Sequence, residues 1–226
     1  HELRGKDGES LNLVHRDVTP HNLFLTYEGK VKVVDFGIAK VSGRLSSTRA
    51  GTLKGKLAYM SPEQVRGAAI DRRTDIFALG VVLWELTTGH RLFRMESDLD
   101  TLEKVQSCIV PPPSSLRPDY PAELESIVMH ALQKRPENRY QTAREFSRAL
   151  QRYLMSCGSF IGPEELSAYV TQLFGDRIRK REAHLRWAAE VTQTISLETL
   201  KTSPRSSGLG EEISLNSIEE QSGLLE

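Results

Sequence analysis

Short apolar runs and a turn signal mark the region just after residue 20. The runs cover Leu23 to Thr26 and Lys30 to Val34, and Glu28-Gly29 stands between them. Two β-prone runs joined by a glycine-containing turn are typical of a β-hairpin. The pattern therefore predicts one small hairpin in this part of the chain.

The pattern becomes helical from Asp71 onward. The stretch TDIFALGVVLWELTTG is apolar on most sides, which predicts a helix buried in the middle of the domain and ending at Gly89. Further helices are predicted near Leu99 to Cys108, Ala122 to Gln133 and Thr142 to Tyr153. These helices and the single hairpin predict a mainly α fold of the α+β kind.

Proline breaks the helical pattern at two places, the run at 111–113 and the stretch Arg135-Pro136-Glu137. A proline run can be a ligand for SH3-type domains, but a stiff connector between two helices is its more frequent role. We interpret the run as a connector.

A helical extension is predicted over 156–190, beyond the main domain at 1–155. It is amphipathic, and the pattern is interrupted near Gly175. A basic run at 177–181 could contact nucleic acid or lipid, but we favour a solvated helix face. Residues 191–226 are rich in Ser, Thr, Gly and Glu, which predicts a disordered tail. The apolar positions of the extension are Leu166, Tyr169, Val170, Leu173 and Phe174.

Composition and charge exclude few classes of function. The chain has 226 residues with 30 Lys plus Arg and 30 Asp plus Glu, so no overall field favours nucleic acid or an anionic membrane, and no nucleic-acid partner is expected. Cys108 and Cys157 fit neither a CxxC pair nor a metal-ligand spacing, so a reducing, cytoplasmic setting is predicted. The sequence has no apolar run long enough for a membrane segment, and its polar opening has no secretory apolar core, so neither a membrane span nor a signal peptide is expected. A chain that begins with His1 rather than methionine suggests a piece of a longer protein.

Candidate chemistry lies around the hairpin. Asp17 precedes Asn22 by five residues, and Asp35 follows the apolar run Val31 to Val34. At this spacing a loop can turn a carboxylate toward a hydroxyl group while an amide oxygen faces Mg²⁺, and Asp35 offers that ion a second hard oxygen. Phosphoryl transfer needs these groups, namely a carboxylate that orients the attacking hydroxyl and ligands for the metal.

These residues also match the motifs of a known family. His15-Arg16-Asp17 with Asn22 resembles the catalytic loop of eukaryotic-like protein kinases, and Asp35-Phe36-Gly37 resembles their metal-binding motif. Ser61-Pro62-Glu63 resembles the A-P-E motif. The stretch DIFALG resembles the start of the family's central helix, and RPENRY contains the arginine that pairs with the A-P-E glutamate. Five motifs in the family's order indicate the large, C-terminal lobe of a protein kinase.

The resemblance implies a role for each residue. Asp17 is the catalytic base, while Asn22 and Asp35 hold Mg²⁺, with Mn²⁺ as an alternative, and bind ATP. Phe24 and the flanking Leu23 and Leu25 form the floor under the adenine. The structural and regulatory residues are His15, Arg16, Phe36, Gly37, Glu63, Asp75 and Arg139; among them Asp75 holds the loop backbone and Arg139 pairs with Glu63.

Local sequence features indicate which class of protein kinase the chain resembles. Pro20, with no AAR before Asn22, resembles serine/threonine rather than tyrosine kinases, so protein substrates with Ser or Thr acceptors are expected. Arg16 implies an activation segment whose phosphorylation can pair with that arginine. Its candidate phosphosites are Ser46, Ser47, Thr48 and Thr52, and a plain Ser/Thr-rich loop is the equal alternative. The segments HRDVTPHN and GTLKGKLAYMSPEQ most resemble kinases of myxobacteria.

Several family features are absent from the sequence. Thr19 stands where most serine/threonine kinases carry a lysine that steadies the transferring phosphate, which predicts a lost positive charge. Lys56 stands where many carry the threonine that lines the substrate-binding loop. There is no GxGxxG and no VAIK-like strand before residue 15, so the small lobe is missing. We expect a Ser/Thr kinase that is inactive or very weak as this chain alone, with a kinase-like binding or scaffold module as the alternative.

Overall fold

The computed structural model describes residues 1–36, 55–159 and 161–202, with the backbone alone for 192–202. The described residues are mainly helical with one small hairpin, which confirms the predicted fold class. The hairpin strands are β1 (Leu23–Leu25) and β2 (Val31–Val33). The helices are α1 (Pro62–Val65), α2 (Arg73–Thr88), α3 (Asp98–Ser107), α4 (Ala122–Ala131), α5 (Ala143–Ser156) and α6 (Pro163–Thr202).

The hairpin forms where the sequence predicted it. Strands β1 and β2 are antiparallel, with Leu23 opposite Val33. The turn between them closes through the N–H of Gly29, which donates to the carbonyl of Thr26 at 3.0 Å. Gly29 has φ 73°, a left-handed conformation that favours glycine. The glycine of the turn signal is therefore required by the backbone conformation.

Helix α2 is the central element of the core. It ends at Gly89, whose φ is 77° and whose N–H donates to the carbonyl of Glu85 at 2.9 Å. Helices α4 and α5 pack against it, as does the short 3₁₀ helix Leu57–Tyr59. Since apolar residues surround most of α2, burial on several sides is the arrangement that removes them from water. The fully buried core side chains include Ile76, Phe77, Val81, Phe93, Val105 and Val128.

Two of the other predicted helices begin at side-chain caps, and proline connectors join the helices. Ser97 caps α3 and Thr142 caps α5, each accepting a hydrogen bond from a backbone N–H of the first turn. The proline run lies between α3 and α4, where the carbonyl of Pro111 accepts a hydrogen bond from Trp84 Nε1 at 3.0 Å. This is the connector role that we assigned to it.

Helix α6 is longer than the sequence predicted. Its helical backbone angles are interrupted at Phe174 (φ −121°, ψ 15°), one residue before the expected break. It then continues to Thr202, so residues 191–202 of the predicted tail are helical in this structure. Those residues contain neither glycine nor proline. Residues 203–226 of the predicted tail lie outside the described residues.

The chain forms two compact units, His1–Leu173 and Phe174–Glu226. The first unit extends past residue 155 because the beginning of α6 packs against the hairpin turn, where Ser167 Oγ donates to the carbonyl of Tyr27 at 2.7 Å. In the second unit, the basic run lies on exposed helix, and Arg179 pairs with Asp176 one turn earlier. Of the helices described, none combines the length and the apolar character needed to cross a membrane.

Gly29→Ala tests the packing of α6 on the turn. A Cβ atom at Gly29 would lie 1.9 Å from the carbonyl oxygen of Pro163, so the helix has to move. We expect a loss of about 2–4 kcal/mol in unfolding free energy, of which about 1–2 is the left-handed backbone penalty. Gly67→Ala is the matched control, because Gly67 has φ 66° with nothing within 4 Å of its added Cβ. Equal losses in the two variants, measured by urea unfolding, would show that the contact contributes nothing.

Candidate functional site

A carboxylate from α2 holds the backbone at the start of the HRDVTPHN segment. Asp75, in the first turn of α2, accepts the N–H of His15 at 2.7 Å and of Arg16 at 2.8 Å. Arg16 has φ 67°, which a side-chain-bearing residue adopts at a cost. Burial raises the pKa of Asp75, and these two N–H groups oppose that rise. Asp75 therefore fixes a strained backbone immediately before Asp17.

Two further side chains contact this arrangement, and the sequence singled out neither. His1 Nε2 lies 2.9 Å from Asp75 Oδ2, and Gln64 Nε2 donates to the carbonyl of Arg16 at 3.2 Å. Gln64 also forms a capping box with Ser61 at the start of α1. The S-x-x-Q pattern could have revealed the cap. Its reach to Arg16 spans 48 positions, for which no local pattern exists.

Asp17 lies at the centre of the candidate site. It is 7% exposed, and its Oδ2 atom lies 2.6 Å from Lys56 Nζ in an ion pair. The side-chain amide nitrogen of Asn22 donates to the backbone carbonyl of Asp17 at 2.7 Å. The hydrogen bond uses the nitrogen of Asn22, so the amide oxygen is the atom that can face a cation. The structure thus joins Asp17 and Asn22 and adds Lys56, which the sequence had connected only with substrate placement.

The end of β2 is hydrogen-bonded to the same loop. The N–H of Val34 donates to the carbonyl of Asn22 at 3.0 Å, and His15 Nε2 donates to the carbonyl of Val34 at 3.1 Å. Because His15 Nδ1 accepts the N–H of Asp17 at 3.3 Å, the ring proton lies on Nε2. Asp35 follows Val34 directly, is exposed, and has φ 62°. Its position is therefore tied to Asn22 through one backbone hydrogen bond.

Phe36 contacts the loop on one face only. Its ring centroid lies 4.7 Å from that of His15, the two planes being tilted by 41°. The sequence predicted a packed side chain, yet Phe36 is 52% exposed. The predicted site residues outside the described part of the chain are Gly37, Ser46, Ser47, Thr48 and Thr52.

Strand β1 exposes Phe24 on the hairpin surface. Phe24 is 54% exposed, whereas Leu23 packs against the hydrophobic core. Successive side chains of a strand point to opposite faces, so these two cannot line one surface. The prediction that Leu23 contributes to an adenine floor is therefore wrong, and Phe24 remains the candidate.

Glu63 and Arg139 form a buried ion pair. Arg139 donates to both carboxylate oxygens of Glu63, at 2.7 and 2.8 Å, and its side chain is fully buried. Its three remaining N–H groups donate to the backbone carbonyls of Gln133, Arg73 and Lys134. Burial alone would raise the pKa of Glu63, but the hydrogen bonds and charge of Arg139 outweigh burial and hold it below its usual value.

The ion pair is connected to the loop through α2. Thr74 Oγ1 donates to Glu63 Oε1 at 2.9 Å, and the next residue of α2 is Asp75. Hydrogen bonds, together with the covalent link from Thr74 to Asp75, therefore connect Arg139 with the backbone before Asp17. The pair contacts no predicted reacting group, so its contribution is to position the others.

The protein kinase domain family matches residues 9–152 of this chain. Among known proteins, the chain is similar to the tyrosine-protein kinase MasK of Myxococcus xanthus, with 46% identity over 194 residues, 86% of this chain and 30% of that protein. It is 42% identical over 144 residues to the serine/threonine-protein kinase Pkn1 of Myxococcus xanthus, 62% of this chain and 21% of the relative. It is 38% identical over 133 residues to the serine/threonine-protein kinase PrkC of Bacillus subtilis, 59% of this chain and 20% of the relative. The chain thus spans less than a third of the length of each.

Proposed function

This chain belongs to the protein kinase family, and from that membership we propose that it transfers the γ-phosphate of ATP to a hydroxyl group of a protein substrate. The observation that carries the proposal is the hydrogen-bonded set that joins Asp17, Asn22 and the backbone before Asp35. The side chains of Asp17, Asn22 and Asp35 offer one proton acceptor and two oxygen ligands. Because ATP is held inside the cell, we place the reaction in the cytoplasm.

The proposed transfer uses Asp17 as the proton acceptor. The acceptor hydroxyl oxygen forms a bond to the γ-phosphorus while the bond from that phosphorus to the β–γ bridging oxygen breaks, and its electron pair leaves with ADP. The hydroxyl proton passes to the carboxylate of Asp17. Asp75 contributes by holding the backbone N–H groups of His15 and Arg16, which fixes the position of the loop.

Asn22 and Asp35 would hold Mg²⁺, or Mn²⁺ in its place. Both offer hard oxygen atoms, and Mg²⁺ is usually bound by one or two protein oxygens together with substrate phosphates. When bound, the ion neutralises charge on the phosphates. Across residues 1–36, 55–159 and 161–202, no cluster of three or more His, Cys, Asp or Glu side chains is arranged to hold a metal by itself.

The acceptor residue is the finer part of the proposal. We favour Ser and Thr, because Pro20 follows Asp17 as in serine/threonine kinases and two of the compared relatives are named as such. Tyrosine is the second candidate, because the relative that is 46% identical is named a tyrosine-protein kinase. Arg16 supports regulation by phosphorylation of the segment before Glu63, because an added phosphate can pair with its guanidinium group. The buried Nε of Arg16 has no hydrogen-bond partner among the residues described.

The exposed apolar side chains of the hairpin fit a small lobe supplied by residues outside this sequence. Phe24, Leu25, Val31, Val33 and Phe36 are all exposed, which is unusual for a cluster of large apolar residues. The sequence contains no glycine-rich phosphate loop. We therefore propose that this chain contributes the large lobe of a longer kinase.

Labelled ATP tests the proposal directly. The 226-residue chain and the longest protein that its gene encodes are incubated with γ-labelled ATP, Mg²⁺ and casein, and the labelled residues are identified after acid hydrolysis. We expect Mg²⁺-dependent label on serine and threonine from the longer protein, and a rate at least about 100-fold lower from the 226-residue chain. Label on tyrosine alone would favour the second candidate. Absence of label from the longer protein would contradict phosphate transfer and favour a binding module.

A further inference from the structure

The contact between Lys56 and Asp17 places a cation at the proposed base. Lys56 Nζ lies 2.6 Å from Asp17 Oδ2, while Asp17 is 7% exposed and the Lys56 side chain 26%. A charge-assisted hydrogen bond of this length fixes the carboxylate more firmly than a neutral one does, particularly where water has little access. The ammonium group therefore lies directly beside the carboxylate that the proposed transfer uses as its proton acceptor.

Thr19 carries no charge at the position where most serine/threonine kinases have a lysine. It is 1% exposed, and its hydroxyl has no hydrogen-bond partner in the described ranges of the chain. A buried hydroxyl without a partner is unfavourable, so Thr19 is not retained for a polar contact that this structure contains. Relative to most serine/threonine kinases, lysine and threonine have exchanged places between positions 19 and 56. Position 19 lacks the charge, as the sequence predicted, but a positive charge lies beside Asp17 at position 56.

The backbone that carries Lys56 is firmly held. It immediately precedes the 3₁₀ helix Leu57–Tyr59, all three residues of which are buried. The hydroxyl of Tyr59 donates to Glu85 Oε2 at 2.7 Å, and the N–H of Tyr59 donates to the carbonyl of Lys56 at 3.1 Å. A charge on a fixed backbone requires little reorganisation during reaction.

We propose that Lys56 is a positioning residue of phosphate transfer, holding the Asp17 carboxylate and supplying the positive charge that Thr19 does not. The inference rests on the proposed function. The inference predicts that the two residues can be interchanged. A protein with lysine at position 19 and threonine at position 56 should again carry a positive charge beside Asp17.

Kinetics in the longest protein that the gene encodes test the inference. Lys56→Met is expected to lower kcat by about 100-fold and to change KM for ATP by less than about threefold, because the charge acts in the transition state. Lys56→Arg, which keeps the charge, is expected to retain at least about tenfold more activity than Lys56→Met. The double variant Thr19→Lys with Lys56→Thr is expected to recover to within about tenfold of the original. Lys104→Met, at a half-buried lysine whose side chain hydrogen-bonds a methionine sulfur away from the site, is the control.

A second measurement is independent of activity. In urea unfolding, Asp17→Asn and Lys56→Met are expected to be non-additive, with a coupling of at least about threefold in the folding equilibrium constant. Lys56→Met with undiminished kcat would overturn the inference and leave the proposed function intact. Equal losses in Lys56→Met and Lys56→Arg without recovery in the double variant would also overturn it. Absence of transfer by the unsubstituted protein would instead reject the proposed function, and the coupling would then report only the ion pair.

Discussion

Asp17→Asn is expected to lower kcat for phosphate transfer by on the order of 10³-fold, because asparagine cannot accept the hydroxyl proton. The amide oxygen can still accept a hydrogen bond from Lys56, and Asn22 still donates to the backbone carbonyl of residue 17. Folding should therefore be nearly unchanged, as should KM for ATP, since the proposed metal ligands are Asn22 and Asp35. The measurements are steady-state kinetics of the longest protein that the gene encodes and urea unfolding of the same variant.

Asp119→Asn is the matched control for this substitution. Asp119 is exposed and makes only a 3.4 Å surface contact with Arg117 among the contacts described, so the same chemical change there should leave kcat unaltered. If Asp17→Asn kept full activity while the original protein was active, the assignment of the base would be wrong. A large loss of stability in Asp17→Asn would mean that the carboxylate has a structural role instead.

Breaking the Glu63–Arg139 pair is expected to destabilise the protein by about 3–5 kcal/mol, since the remaining charge would be buried without its partner. Glu63→Gln is the direct test, because it removes the charge and keeps the shape. The expected fall in midpoint temperature is roughly 10 °C for a domain of this size. The double variant Glu63→Leu with Arg139→Met should recover part of the loss, because it buries no charge.

The surface pair between Arg144 and Glu2 provides the control. Both side chains are more than half exposed at a separation of 2.6 Å, so Glu2→Gln should change stability by less than about 1 kcal/mol. Similar effects at Glu63 and Glu2 would contradict the claim that burial gives the Glu63–Arg139 pair its importance.

The same pair predicts a dependence of stability on pH. The pKa of Glu63 is lower in the folded protein than in the unfolded chain, so its stabilising contribution is complete above the unfolded value of about 4.3. The contribution is lost as the pH falls from there through the folded value. Glu63→Gln should therefore remove part of the fall in unfolding free energy below about pH 5. If the variant showed the same fall in unfolding free energy at acid pH, other carboxylates would be its cause.

The fold followed from local patterns to a large extent. The hairpin, the buried helix ending at Gly89 and the helices beginning after Ser97 and Thr142 each have a signal in adjacent residues, namely a glycine turn, an apolar run or a cap. The length of α6 was underestimated, because composition alone does not distinguish a polar helix from a disordered tail.

The candidate site was predicted in its residue types and, through the family resemblance, in two of its contacts, namely Asp75 with the loop backbone and Arg139 with Glu63. Asp17, Asn22 and Asp35 were identified from spacing and from family motifs. The sequence did not predict the hydrogen bond of Gln64 to the loop or the ion pair of Lys56 with Asp17. The partners in these two contacts lie 48 and 39 positions apart, respectively. No short-range pattern records such distances.

The sequence by itself determined the family, the mainly helical fold and the order of the chemical groups, because motifs, caps and apolar periodicity act between neighbouring residues. Only the tertiary structure decided where the positive charge near Asp17 lies. Thr19 alone suggested that this charge was lost, whereas the fold brings Lys56, next to the buried Leu57–Tyr59 turn, within 2.6 Å of the Asp17 carboxylate. The physical reason is that a salt bridge depends on distance in space, which packing sets and local sequence does not.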